Sequence, residues 1–264
     1  VNAWTAAAAG IILMAAWMAF LYAIGRKMRN AGIVDFGWSL GIPILAVLFA
    51  ILLPGWGPRR WLAAVPVSLW GLRLGLYLLL TRVLGHPEEG RYVQLRQEWG
   101  EKAEIKLFFF FQFQGLLDLF FALPFLLMSA NPAAAFHPLE WAGAAMWLLG
   151  WIGEVAADLQ LHRFKAHPAN RGKTCRAGLW RYSRHPNYFF EVLLWGGLAL
   201  MATPSPFGPL SWLVPALLLF FLFRVTGIPA TEAQALRTRG ADYADYIRTT
   251  SPFIPWFPRR PAQG

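Results

Sequence analysis

A chain of 264 residues that is 57% hydrophobic, 16% aromatic and only 14% charged, with a mean hydropathy of +0.42, is too apolar for a water-soluble domain and matches a polytopic membrane protein. Its net charge of +10 raises nucleic acid as a partner, but the basic residues gather between apolar runs and no nucleic-acid motif accompanies them, so attraction to membrane lipids is the expected reading. The single Cys175 excludes an internal disulfide, and no Cys/His spacing suggests a metal.

Apolar runs near the length of about 20 residues that a spanning helix needs lie near 3–24, 36–54, 61–81, 107–129, 139–157, 188–203 and 210–226. They predict an all-α protein of about seven membrane helices forming one helical domain over 1–264. In the first run the basic residues Arg26, Lys27 and Arg29 follow the apolar stretch, the reverse of a cleavable signal, so it is expected to stay as a helix. Asp35 heads the second run in VDFGWSLG, and Arg73 lies inside the third. The charged connection 82–106, with Tyr92 and Trp99, reads as an interfacial helix. Asp118 stands in the middle of the fourth run, after Gln112 and Gln114. Glu154 and Asp158 close the fifth, four residues apart and so on one helical face, and Glu191 lies one turn into the sixth. An ionisable group at bilayer depth costs about 2.5–3.5 kcal/mol. Five such acids therefore predict a polar chamber. Of 24 Lys and Arg, 21 fall in 25–35, 82–106, 158–187 and 224–264, which predicts an N-out, C-in orientation with the chamber facing the cytoplasm.

Polar chemistry is densest in 158–195, DLQLHRFKAHPANRGKTCRAGLWRYSRHPNYFFEVLLW. Pro186 suits the first turn of a helix, because its missing N–H needs no partner there. Arg184 and His185 would then flank the free N–H groups of a helix start, a place that favours anions and could hold a phosphate. No Gly-x-Gly-x-x-Gly follows a strand, so a nucleotide would have to sit between helices.

Gly178-Leu179-Trp180, then Arg184-His185-Pro186-Asn187-Tyr188, then Glu191 and Trp195, resembles the C-terminal half of membrane-bound steroid 5α-reductases and sterol C=C reductases, and most nearly a bacterial group of seven-helix relatives. The wider superfamily includes isoprenylcysteine carboxyl methyltransferases, which share Arg-His-Pro and the following Tyr. The resemblance is specific from Asp158 to the end and weak over 1–157. Tyr243 keeps the family's nine-residue spacing to Pro252, and Arg73 and Tyr77 resemble the third reductase helix. The family's substrate-binding Gln-Glu pair on the second helix is represented only by Asp35, its Tyr on the third helix by Trp70, and Glu232 stands near an expected His, with Arg224 close by.

The resemblance implies NADPH as cofactor, with Asp158, Lys165, Asn187 and Glu191 helping to hold it and Tyr243 beside them. By charge, Lys165, Lys173, Arg184 and His185 are candidates for its phosphates, and His162 is a further candidate for binding the cofactor. The implied reaction reduces an activated C=C bond in a lipid-soluble substrate within the bacterial inner membrane, among membrane lipids and without fixing an oligomeric state. It needs a hydrogen-bond donor at the substrate carbonyl, expected in a protonated Asp35, or in Tyr92 or Tyr188. Trp38, Trp70, Gln112 and Gln114 are expected to line the lipid's way in. Two other readings are an S-adenosylmethionine-dependent membrane methyltransferase and a non-enzymatic lipid-binding or transport protein.

Overall fold

The computed structural model describes residues 1–225 and 227–259. Position 226, the end of the seventh expected run, and 260–264, the end of the last basic segment, lie outside the described residues. Among the described residues the chain is helical, with one isolated bridge between Ser183 and Ser251 in place of any sheet. It divides into two compact units: 1–136 with 204–208, and 137–203 with 209–259.

The first unit holds α1 (Ala3–Met28), α2 (Ile33–Leu52), α3 (Gly57–Leu78), α4 (Gly90–Trp99), α5 (Ala103–Phe121) and α6 (Leu123–Ala130). Helix α1 starts on a capping box, in which the Asn2 side chain accepts from Thr5 N at 2.9 Å and Thr5 Oγ1 accepts from Asn2 N at 3.1 Å, satisfying two orphan donors. Arg26 and Lys27 lie in its last turn, where the helix dipole favours them. Helix α2 is the central element and packs on α1, α3 and α5. Gly71 of α3 lets the chain approach the Ser39 carbonyl and Pro43 ring so closely that a Cβ there would collide with both.

The second unit holds α7 (Pro138–Ala166), α8 (Pro186–Ala202), α9 (Leu213–Phe220) and α10 (Ile228–Thr249). Here α7 and α8 meet backbone to backbone. A methyl group on Gly150 would come within 2.6 Å of Leu194 N, and one on Gly197 within 2.7 Å of Gly143 O. Small residues of this kind give tight helix packing where lipid removes the hydrophobic drive between helices.

Among the described residues four helical runs are long and apolar enough to cross a membrane: Ala3–Met28, Ile33–Leu52, Gly57–Val83 and Gly208–Thr249. A fifth comes from Gly90–Phe121 and Leu123–Ala130 taken as one span bent by 40°. Large apolar side chains such as Trp4, Ile12, Phe20, Leu80, Phe109 and Leu116 point outward on these helices, as lipid-facing residues do. The chain is an integral membrane protein. Seven spans were expected; the difference lies in α8, which at 17 residues is short, and α7, which carries Glu140, Glu154 and Asp158. The run 107–129 is broken before Pro124, in the first turn of α6. Only the first half of Gly208–Thr249 is apolar. Helix α10 bears Glu232, Arg237, Arg239, Asp242, Asp245 and Arg248, and lies beyond the span.

Candidate functional site

Helix α8 begins at Pro186, as its missing N–H predicts, and the RHPNY motif straddles that start. The loop before it is stitched to the C-terminal residues. Arg184 N donates to Ser251 O at 2.8 Å, Ser183 Oγ to Phe253 O at 2.7 Å, and Trp256 N to Tyr182 O at 2.9 Å. The Tyr246 hydroxyl lies against the carbonyls of Trp180 and Ser183, and Trp180 Nε1 donates to Ala157 O at 2.9 Å. Arg176 ties the same loop to Asp242 and Asp245 at 2.9 and 2.7 Å.

Asn187 is brought to Asp158, its Nδ2 donating to Oδ1 at 3.4 Å, while Asn187 Oδ1 is buried without a hydrogen-bond partner among the described residues. A buried amide oxygen left unpaired costs about 1–3 kcal/mol. Glu191 lies half-buried four residues on, on the same face of α8. His162, Lys165 and Lys173 are exposed on the last turns of α7 and the loop after it. Tyr243 is buried against Tyr246, with the Arg239 guanidinium 4.8 Å from its ring centre. Burial and the Glu232 charge push its hydroxyl up to about 12, so it stays a neutral donor.

Arg184 and His185 have a different task from the phosphate grip expected of them. Arg184 is buried, with Nε donating to Glu232 Oε1 at 2.6 Å and Nη1 to the carbonyls of Ile247 and Thr250 at 3.0 and 2.7 Å. His185 Nε2 lies 3.2 Å from the same Glu232 oxygen, and its ring stacks on Tyr188 at 5.2 Å. A buried guanidinium requires a neutralising partner, and α10 supplies it. Burial pushes the Glu232 carboxyl up, but hydrogen bonds from His185 and Arg184 outweigh it and hold the group below the usual glutamate range. The sequence signal was present in Glu232 itself, an acid where the resemblance called for a His. The Tyr188 hydroxyl lies 3.4 Å from Thr231 Oγ1.

In the first unit, Asp35 joins a network that sequence spacing did not reveal. Arg91 and Tyr92 both donate to it, the latter from its hydroxyl at 2.9 Å, and the Arg91 guanidinium lies 4.6 Å from the Tyr92 ring centre. Glu89 joins it through Arg91 at 3.2 Å, and a separate set runs from Glu88 through Arg96 to Glu104 at 2.9 and 2.5 Å. The expected donor is therefore an acceptor, because α4 brings a guanidinium and a phenol to it. Trp70 is fully buried, edge-on to Trp38 at 6.0 Å, and Trp38 is edge-on to Phe121 at 5.8 Å, so these rings fill space instead of opening a path. Gln112 Nε2 donates to Ala15 O at 3.4 Å, tying α5 to α1, and Gln114 is half-buried on the same helix. Asp118 is fully buried facing Gly41, and neither of its oxygens has a hydrogen-bond partner among the described residues. No group of three or more His, Cys, Asp or Glu suited to a metal occurs among the described residues.

Comparison with known proteins agrees with the motif's resemblance. The chain is similar to 3-oxo-5-alpha-steroid 4-dehydrogenase 1 of Mus musculus, 28% identical over 120 residues that cover 46% of this chain and 43% of the mouse protein. The Rattus norvegicus protein of the same name is 27% identical over 120 residues, 46% and 42% of the two chains. An uncharacterised protein of Schizosaccharomyces pombe is 27% identical over 224 residues, 74% of this chain and 64% of the yeast protein. The match thus spans less than half the length of the rodent proteins and under two thirds of the yeast one. No solved structure matches the chain. Residues 21–250 match the family described as a protein of unknown function, DUF1295, and the chain belongs to that family.

Proposed function

We propose that the protein is a membrane reductase that uses NADPH to reduce an activated, enone-type C=C bond in a membrane-soluble lipid. The observation that carries this reading is Asn187: its amide is oriented by Asp158 and ends in a buried oxygen that the fold leaves unpaired. A primary carboxamide, such as the one on a nicotinamide ring, is a donor suited to that oxygen, so the residues present fit the cofactor. The distant similarity to the rodent dehydrogenases supports the same reading. When bound, NADPH supplies the hydride.

The chain's own residues do the rest. Asp158 fixes the Asn187 rotamer, and Glu191 extends the polar face of α8. Exposed Lys165 and Lys173 offer positive charge for phosphates, a role that Arg184 and His185, engaged with Glu232, leave to them, and exposed His162 offers a ring N–H beside them. Reduction of an enone adds hydride at the β-carbon and a proton at the α-carbon, with negative charge on the carbonyl oxygen in between. A phenol is a suitable donor to that oxygen. Tyr188, next to Asn187 and stacked on His185, takes this role. The excess of Lys and Arg on one set of connections supports a cytoplasm-facing cofactor site.

The test is a thermal-stability titration of the purified chain with NADPH, NADH and S-adenosylmethionine, since a ligand that binds only the folded state raises Tm by mass action. NADPH is expected to raise Tm in a concentration-dependent way, and Asn187→Ala to lose most of that rise. Stabilisation by S-adenosylmethionine alone would overturn the reading in favour of a methyltransferase. With an enone lipid as substrate, Tyr188→Phe is expected to lower kcat at least about tenfold, and an unchanged kcat would remove Tyr188 from the mechanism.

A further inference from the structure

Two cavities of the second unit lie outside the Asn187 site, one lined in part by Pro252 and the other by Phe253, its neighbour in the chain. The first, about 230 Å³, is bounded by the end of α10 and the segment 251–259, a strap that runs back across the RHPNY loop. Its lining includes Arg184, Arg248, Arg259, Trp256 and Phe257 and no acidic side chain. Arg184 is already neutralised by Glu232, and Arg248 shares its charge with Asp245 at 3.1 Å in a solvent-exposed pair, so the charge the cavity offers an anion comes first from Arg259 and then from Arg248. Helix C-termini repel anions, but the carbonyls here are engaged. Ile247 O and Thr250 O accept from Arg184, Ser251 O from Arg184 N, and Thr249 O from Arg259 N at 2.8 Å. The second cavity, about 280 Å³, is lined almost wholly by apolar atoms of α7, α8 and the α9 region, among them Met146, Val192, Leu193, Trp212 and Leu219, and is closed at one end by Phe189 and Phe253.

The strap's position follows from Phe253. Its ring lies 5.7 Å from Phe189, in the first turn of α8, and 5.1 Å from Phe223, at the end of an apolar span. The strap therefore packs beside the start of α8 and the end of the most apolar part of Gly208–Thr249. Ile254, Trp256 and Phe257 are 60%, 70% and 77% exposed along it, an arrangement costly in water and typical of side chains set in the headgroup layer.

We propose that these paired cavities bind one anionic phospholipid, its phosphate held by Arg248 and Arg259 and an acyl chain lying in the apolar cavity beside Phe253. The charge of the first cavity selects an anionic over a zwitterionic headgroup. The apolar neighbour and the exposed aromatic strap select a lipid over a free phosphate or a nucleotide. The site faces away from Asn187, because Phe189, Val192, Leu193 and Gly196 occupy the opposite side of α8 from Asn187 and Glu191. Lipid binding is thus separate from the cofactor reading.

Native mass spectrometry of the full chain, extracted from vesicles of phosphatidylcholine doped with phosphatidylglycerol, reads the result directly. Wild-type protein is expected to retain phosphatidylglycerol in preference to phosphatidylcholine. At about fivefold per arginine near an anionic surface, the Arg248→Gln/Arg259→Gln variant is expected to retain about thirtyfold less. Equal retention of both lipids, or undiminished retention by the variant, overturns the proposal, as does displacement of the lipid by inorganic phosphate at matched concentration. A second measurement leaves the arginines intact: brominated phosphatidylglycerol is expected to quench wild-type fluorescence more than that of Trp256→Phe. Identical quenching would place the lipid elsewhere.

Discussion

Glu232 shows how much one side chain can organise. It accepts from Arg184 and His185 at once, and so fastens α10 to the motif loop through a residue that is 8% exposed and cannot remain charged there alone. Its folded-state pKa is depressed, so its contribution is present above the ordinary glutamate value and is lost as pH falls through the lower folded value. Wild-type Tm is therefore expected to drop on acidification through that range. Glu232→Gln should start lower at neutral pH, by about 3 kcal/mol for a buried cation stripped of its counter-charge, and show a flatter acid limb. A parallel acid limb in the two proteins, followed by differential scanning fluorimetry, would argue against this linkage. None of this pairing was legible from RHPNY itself, because the partner lies 47 residues on. The same holds for Asp35: its position at the head of a helix was readable, whereas Arg91 and Tyr92 reach it from 56 and 57 residues away.

Among the elements, α7 and α8 are the most intimately joined, and glycine is the means. A side chain at Gly150 would press on Leu194 N and Phe190 O at 2.6 and 2.8 Å, backbone atoms that cannot rotate aside. Gly150→Val is expected to destabilise by about 3 kcal/mol, at the upper end for overpacking, whereas Gly90→Ala, with open space around it, should leave the unfolding free energy within about 0.5 kcal/mol of wild type. Comparable Tm values for the two variants would mean that the helices can part without cost. Helix existence was the easiest thing to read from the sequence, since apolar runs are long and Pro186 marks the start of α8. The break between α5 and α6 was harder: Pro124 was visible, but the runs on either side are equally apolar, and only the backbone shows a bend there.

At the scale of the molecule, the distribution of Lys and Arg makes a prediction that the helices alone do not. In a Cys175→Ser background, Lys173→Cys should react with an impermeant maleimide only from the cytoplasmic side, and Ala134→Cys only from the other; labelling of Lys173→Cys from outside would reverse the orientation. What composition made plain was the class of protein, an apolar helical chain with its polar chemistry concentrated after Asp158. What it hid was the stitching of the second unit, where Tyr182, Ser183 and Arg184 take partners from residues 251, 253 and 256. That stitching has a temporal side. Roughly 70 residues separate the start of α8 from Trp256, so at about 5–20 residues per second the ribosome needs about 4–14 seconds to deliver the strands of the knot after the motif has emerged. Throughout that interval the loop before Asn187 lacks the partners that later hold it, so its stitching is completed well after the motif itself has been made.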